Sequence, residues 1–107
     1  PLVAFVHWGT EYTTVPRAGE TAIAGALARC GVSAIIGAHS HQAATALTAL
    51  VGGASQMLYS LGNFLFDQSS PRGSGTLAEL RVFRHGTVAL RLIPVPNLFD
   101  VGKAALR

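Results

Sequence analysis

The chain begins with a continuous apolar run, Leu2-Val3-Ala4-Phe5-Val6, that ends in His7-Trp8-Gly9. A short run without alternation predicts a central strand covered on both faces. From about Glu20 to Cys30 the pattern changes: Ile23, Leu27 and Cys30 recur at i, i+4 and i+7, Ala24 and Ala28 widen the stripe, and Gly31 stands as a stop. That spacing predicts a helix with this face buried. Val32 to Ile36 is again short, apolar and rich in β-branched residues, hence a second strand. Strand, helix and strand make a βαβ unit whose strands run parallel, as neighbours or nearly so.

Gln42 to Ser55 is alanine-rich and carries little pattern. Gln56 to Leu61 predicts a third strand closed by Gly62-Asn63, with Phe64-Leu65-Phe66-Asp67 continuing it as an apolar segment, and Gln68 to Gly75 reads as loop. Alternation then appears. Ala78, Leu80 and Val82 share one face of one run, Val88, Leu90 and Leu92 one face of the next. His85-Gly86 between them fits a two-residue primed turn, so a terminal antiparallel hairpin is expected. Beyond Pro94 and Pro96 the tail reads as loop with a short helical end. The elements predict one α/β unit over residues 1–107, a βαβ unit followed by antiparallel strands and a hairpin.

That order locates the chemistry. In parallel α/β sheets the loops leaving the carboxyl ends of strands form the ligand crevice. His7 follows one such end, and the pair in Gly37-Ala38-His39-Ser40-His41 follows another. With adjacent strands ~4.8 Å apart, the imidazoles converge on one rim. Residues two apart in an extended segment also point the same way, which would align His39 with His41. Neutral imidazole is a good ligand for zinc, manganese or iron; the alternative is a polar loop whose histidines bond to backbone or water. Glu11, four residues after His7, is either a partner of the metal site or a solvated loop residue. Trp8 and Tyr12 either line the rim or pack, and Asn63 is a further candidate on the outer-sphere or substrate side. Ser40 and Ser60 lack a GxSxG context, which sets covalent serine catalysis aside. Asp67 reads as a turn former, His85 as part of the hairpin turn, and Arg81, Arg84 and Arg91 as a solvated face. No residue is assigned a catalytic role.

Composition narrows the classes. A chain of 107 residues, half of them apolar, suffices for one small domain with a modest core. Its single cysteine, Cys30, forms no internal disulfide and is expected to be a small buried hydrophobe. No apolar run approaches the ~18 residues that span a bilayer, and no signal-peptide pattern is present. The formal charge of +3 comes mainly from scattered arginines, with Lys103 the only lysine and no basic run, which gives nucleic-acid binding little support. None of the five acidic residues forms a D-x-H or D-x-x-D arrangement, so the histidines do not by themselves complete a two-metal hydrolytic site. Opening at Pro1 and running straight into an apolar strand, the chain reads as the C-terminal portion of something longer.

Three blocks are more specific: His7-Trp8-Gly9-Thr10-Glu11-Tyr12 with Pro16, Gly37-Ala38-His39-Ser40-His41, and Tyr59-Ser60-Leu61-Gly62-Asn63-Phe64-Leu65-Phe66-Asp67. In order and rough spacing they resemble the C-terminal half of the bacterial capsule-synthesis CapA family, also called poly-gamma-glutamate synthesis or PgsA-like. The resemblance covers about residues 2 to 94. It implies the C-terminal half of a calcineurin-like metallophosphoesterase fold, an α+β sandwich. It further implies a centre of two divalent ions, with His7 and His39 on one ion and His41 on the other. The upstream aspartates, asparagine and histidine of such a centre have no counterpart here, so the resemblance implies a missing N-terminal half of the same domain and an inactive fragment. Ser40 stands where the family usually shows proline. By resemblance the protein belongs at the outer face of the cell membrane, tethered by a segment outside this chain.

Two functions follow as expectations. One is a metal-dependent phosphoesterase in capsule or poly-gamma-glutamate biosynthesis or export, in which metal-activated water attacks a phosphoester. The other is a non-catalytic accessory that binds an acidic surface polymer or partners of a capsule-synthesis complex, to which the basic balance is suited. An isolated half of a sandwich is also expected to leave apolar faces and sheet edges open.

Overall fold

The computed structural model describes residues 1–67 and 74–105. In chain order it contains β1 (Leu2–His7), α1 (Ala18–Arg29), β2 (Val32–Ala38), β3 (Thr48–Leu50), β4 (Ser55–Leu58), β5 (Ser74–Val82), β6 (Val88–Pro96) and α2 (Leu98–Ala105). The first four strands form one sheet in the order β1-β2-β4-β3, and β5-β6 form a separate hairpin. β2 runs parallel to both β1 and β4, while β3 closes the far edge antiparallel to β4. The expected βαβ unit is therefore present, and the fold class is mixed α/β with a terminal hairpin.

Side-chain alternation along β2 and β4 builds two cores. Ile35 and Met57 face α1 and pack with its Ala24 and Ala28, whereas Ile36 and Leu58 face the other way and join Tyr59, Ala78 and Leu92 on the hairpin side. Period two thus sends the neighbouring Ile35 and Ile36 into opposite cores. Full burial of a side chain such as Ile35 is worth about 1.5–3 kcal/mol, so β2 and β4 anchor the fold.

Several expectations are corrected. β1 is an edge strand, not a central one: among the described residues only β2 pairs with it, Ala4 and Val6 reach the helix-side core, and Phe5 is 67% exposed. An apolar run reports that a strand wants cover without saying that this chain supplies it. On α1 the buried ridge is Ala24 and Ala28 with Leu27 beside it, while Ile23 is exposed. Small side chains let the helix lie close to the sheet, and periodicity alone does not separate that stripe from its neighbour. Cys30 is exposed as well, because it lies at the C-cap beyond the last packed turn. At the other end the Arg17 N–H donates to the Glu20 carboxylate, which secures an otherwise unpaired donor.

Within Gln42 to Ser55 lies β3, which has no sequence signature because it is three residues long and only Leu50 is buried. Phe64, Leu65 and Phe66 do not extend a strand but form an exposed bend. Of the expected loop from Gln68 to Gly75, residues 68–73 lie outside the described residues, and Ser74 and Gly75 already belong to β5. The hairpin register pairs Ala78 with Leu92, Leu80 with Leu90 and Val82 with Val88, as the alternation predicts. Its turn is longer than two residues. Gly86 N–H donates to Phe83 O at 2.9 Å and Phe83 N–H to Thr87 O at 2.9 Å, closing a three-residue loop, Arg84-His85-Gly86. Pro94 and Pro96 lie within β6, whose other edge pairs with no strand among the described residues and so needs no donor there.

Candidate metal centre

Backbone register brings the histidines together. His7 is paired with Ala38, and the Trp8 N–H donates to Ala38 O at 3.1 Å, so the chain of β2 delivers His39 one step past His7. The two rings lie 4.7 Å apart between centroids, and His41 lies 6.4 Å from His39. All three line a hollow of about 360 Å3 together with Ala38, Gly62, Asn63 and the bend Phe64 to Phe66.

The pair is not aligned by an extended segment. His39 has φ 109° and His41 φ 58°, both in the left-handed region that branched and bulky residues avoid. Each such residue costs on the order of 1–3 kcal/mol and persists only where the surroundings hold it. Here Ser40, fully buried between them, is the pivot: its Oγ donates to Gln42 O at 3.0 Å, and its carbonyl accepts from Tyr12 N–H at 2.6 Å. The turn is thereby tied to the loop after β1.

Below the turn, Gly37 makes the approach possible. A Cβ there would overlap the Tyr59 carbonyl and Trp8 Nε1. The indole Nε1–H donates to that carbonyl at 3.0 Å, and Trp8 packs into both cores, so Trp8 supports the rim from inside rather than lining the hollow. Glu11 is exposed and does not line the hollow. Asp67 is exposed and faces Lys103 at 3.7 Å.

Asn63 does reach the site. It is buried, and its Oδ1 lies 2.9 Å from His41 Nδ1. His41 is further flanked by Phe66, at 4.9 Å between ring centroids, and by Tyr12 at 6.1 Å. Phe66 is held in turn by Asn97, a fully buried residue whose Nδ2 donates to Phe66 O at 2.8 Å and whose Oδ1 accepts from the Phe66 N–H at 3.1 Å. Asn97 Oδ1 also accepts from Phe99 N–H at 3.3 Å at the start of α2. Asparagine just before a helix is a capping signal that was available in the sequence. Its clamp on a loop thirty-one residues away was not.

The donors suit a borderline divalent cation, because the rim offers imidazole nitrogens and, among the described residues, no lysine or arginine lines the hollow. In such a site they would make one edge. Among the described residues no three His, Cys, Asp or Glu side chains are grouped to hold an ion unaided.

A mixed α/β chain that gathers histidines at and just beyond the carboxyl ends of adjacent parallel strands has the layout of a ligand-binding α/β protein. Comparison with known sequences narrows that class: the chain belongs to the bacterial capsule synthesis protein PGA_cap family, whose profile matches residues 2–68. It is 33% identical over 95 residues to the capsule biosynthesis protein CapA of Bacillus anthracis, covering 88% of this chain and 22% of that protein. It is 31% identical over 96 residues to the PGA biosynthesis protein CapA of Bacillus subtilis (strain 168), covering 88% of this chain and 24% of that protein. The chain thus spans less than a quarter of these relatives. No solved structure matches it. Among the described residues no helix is long and apolar enough to cross a membrane.

Proposed function

We propose that His7, His39 and His41 contribute to a divalent-metal centre in the whole protein, and that the centre serves phosphoester hydrolysis in making or exporting a capsule polymer such as poly-gamma-glutamate at the outer face of the cell. The observation that carries this reading is the convergence of the three imidazoles on one hollow through two left-handed residues, a costly backbone for a loop with no task. The remaining ligands come from chain outside this sequence. A bound ion supplies Lewis acidity and an activated water. This chain's own residues hold the histidines at the rim, orient His41 through Asn63, and wall one side with Phe64 and Phe66.

A second reading has its own support. Among the described residues the rim contains no carboxylate, and the chain carries a net charge of +3, so a non-hydrolytic accessory that binds an acidic polymer or capsule-synthesis partners fits the same surface. Elemental analysis separates the two. The longest protein expressible from the reading frame is compared with its His39→Ala/His41→Ala variant. About two ions per chain, reduced in the variant and accompanied by phosphodiesterase activity, support the metal centre. No metal in either protein overturns it, and salt-sensitive binding of polyglutamate then supports the accessory.

A further inference from the structure

We infer that Asn63 is the positioning residue that sets the tautomer of His41, holding the proton on Nδ1 and leaving Nε2 as the ring nitrogen with a free lone pair. The inference deepens the metal-centre reading proposed above and takes its purpose from it, but its physical basis is separate. The amide oxygen Oδ1 accepts only, so at 2.9 Å from Nδ1 it selects the ring form that carries a hydrogen there. Which nitrogen of a histidine binds or donates is set by the hydrogen bond that the other makes.

Asn63 is suited to this because its backbone is held from both sides. Ala44 N–H donates to Ser60 O at 2.9 Å on one side of the segment, and Thr76 N–H donates to Leu61 O at 2.7 Å on the other. Single bridges join Ala43 with Leu61 and Gly62 with Gly75. Gly62, at φ 68°, lies so close to Ala43 and Ser74 that a Cβ there would overlap both backbones. The segment therefore stitches the histidine turn to the start of the hairpin, and Asn63 reaches His41 from a fixed base. Phe66 against the ring face restrains the imidazole in the remaining direction.

The test is the ring-nitrogen NMR signature of His41 in the metal-free full chain with 15N-labelled histidine, recorded where the ring is neutral and assigned by comparison with His41→Gln. The expected result is the Nδ1–H pattern in the unaltered protein, retained in Asn63→Asp, which keeps the acceptor, and replaced in Asn63→Ala by the Nε2–H pattern that an unconstrained histidine favours. An Nε2–H pattern in the unaltered protein overturns the inference without any variant, since the amide would then present its NH2 group to the ring. A folded Asn63→Ala protein that keeps the Nδ1–H pattern overturns it too. A protein that binds no metal yet shows the Nδ1–H pattern supports the inference while removing the metal reading.

Discussion

β1 and β2 are alike in sequence and opposite in circumstance. Both are short apolar runs that end at a histidine-bearing loop, and they lie side by side in parallel register. β2 has a strand on each side and a core on each face, so Val32, Ala34 and Ile35 are buried. Among the described residues β1 has one neighbour. Its even-numbered residues Ala4 and Val6 meet the helix-side core, while Phe5 opens into a hollow of about 390 Å3 lined also by Ile36, Leu61, Phe64 and Leu77. That hollow shares Ala38, Gly62 and Phe64 with the histidine rim. The difference teaches that an apolar strand records the cover it needs, and that the uncovered face of β1 leads directly to the site.

The largest effect should separate the two strands outright. Ile35→Ala empties a fully buried position and is expected to lower unfolding free energy by about 2–5 kcal/mol, whereas Phe5→Ala on the open face should change it by no more than about 0.5 kcal/mol. Urea denaturation of both variants checks this, and comparable losses would break the comparison. Next comes the paired position Val6 and Gly37, where β1 carries a branched side chain and β2 tolerates none. Gly37→Ala must push back Tyr59 and Trp8 and is expected to cost about 1–3 kcal/mol. A thermal midpoint equal to that of the unaltered protein would show that β2 is less tightly hemmed than its burial implies.

The smallest effect lies on the outer face of the hairpin, solvated like that of β1. Hydrogen bonds from Arg81 and Arg91 hold the Glu79 carboxyl below its usual range. Its contribution is therefore present above the ordinary carboxylate range and fades as pH falls through the folded-state value. With both arginines exposed and Glu79 half-buried, it is also weakened by salt. The thermal midpoint of the unaltered protein should exceed that of Glu79→Gln slightly near neutral pH, with the gap closing on acidification. A gap that widens in acid would contradict the assignment.

Much of the fold was legible because local pattern and cover agreed. The parallel pairing of β1 and β2 through α1, the apolar hairpin pairs Ala78–Leu92, Leu80–Leu90 and Val82–Val88, and the placing of His39 and His41 beyond a strand end follow from period and order, whereas His7 proves to be the last residue of β1 rather than the first beyond it. What was not legible depended on partners far away in sequence. β3 exists because β4 offers an antiparallel edge, the exposed Ile23 follows from how closely an alanine ridge seats α1, and Asn97 matters through Phe66. The histidine turn joins both kinds: its members were readable, but their left-handed backbone and the buried pivot Ser40 were not.

By itself, then, the sequence determined the order of strands and helices, the two-sided alternation that makes two cores, and the family to which the chain belongs, because each of these is written in local spacing or in residue strings. Only the tertiary structure decided which apolar strand is covered, how near the three rings come, and that Asn63 meets His41, because those depend on register, backbone handedness and contacts between residues distant along the chain.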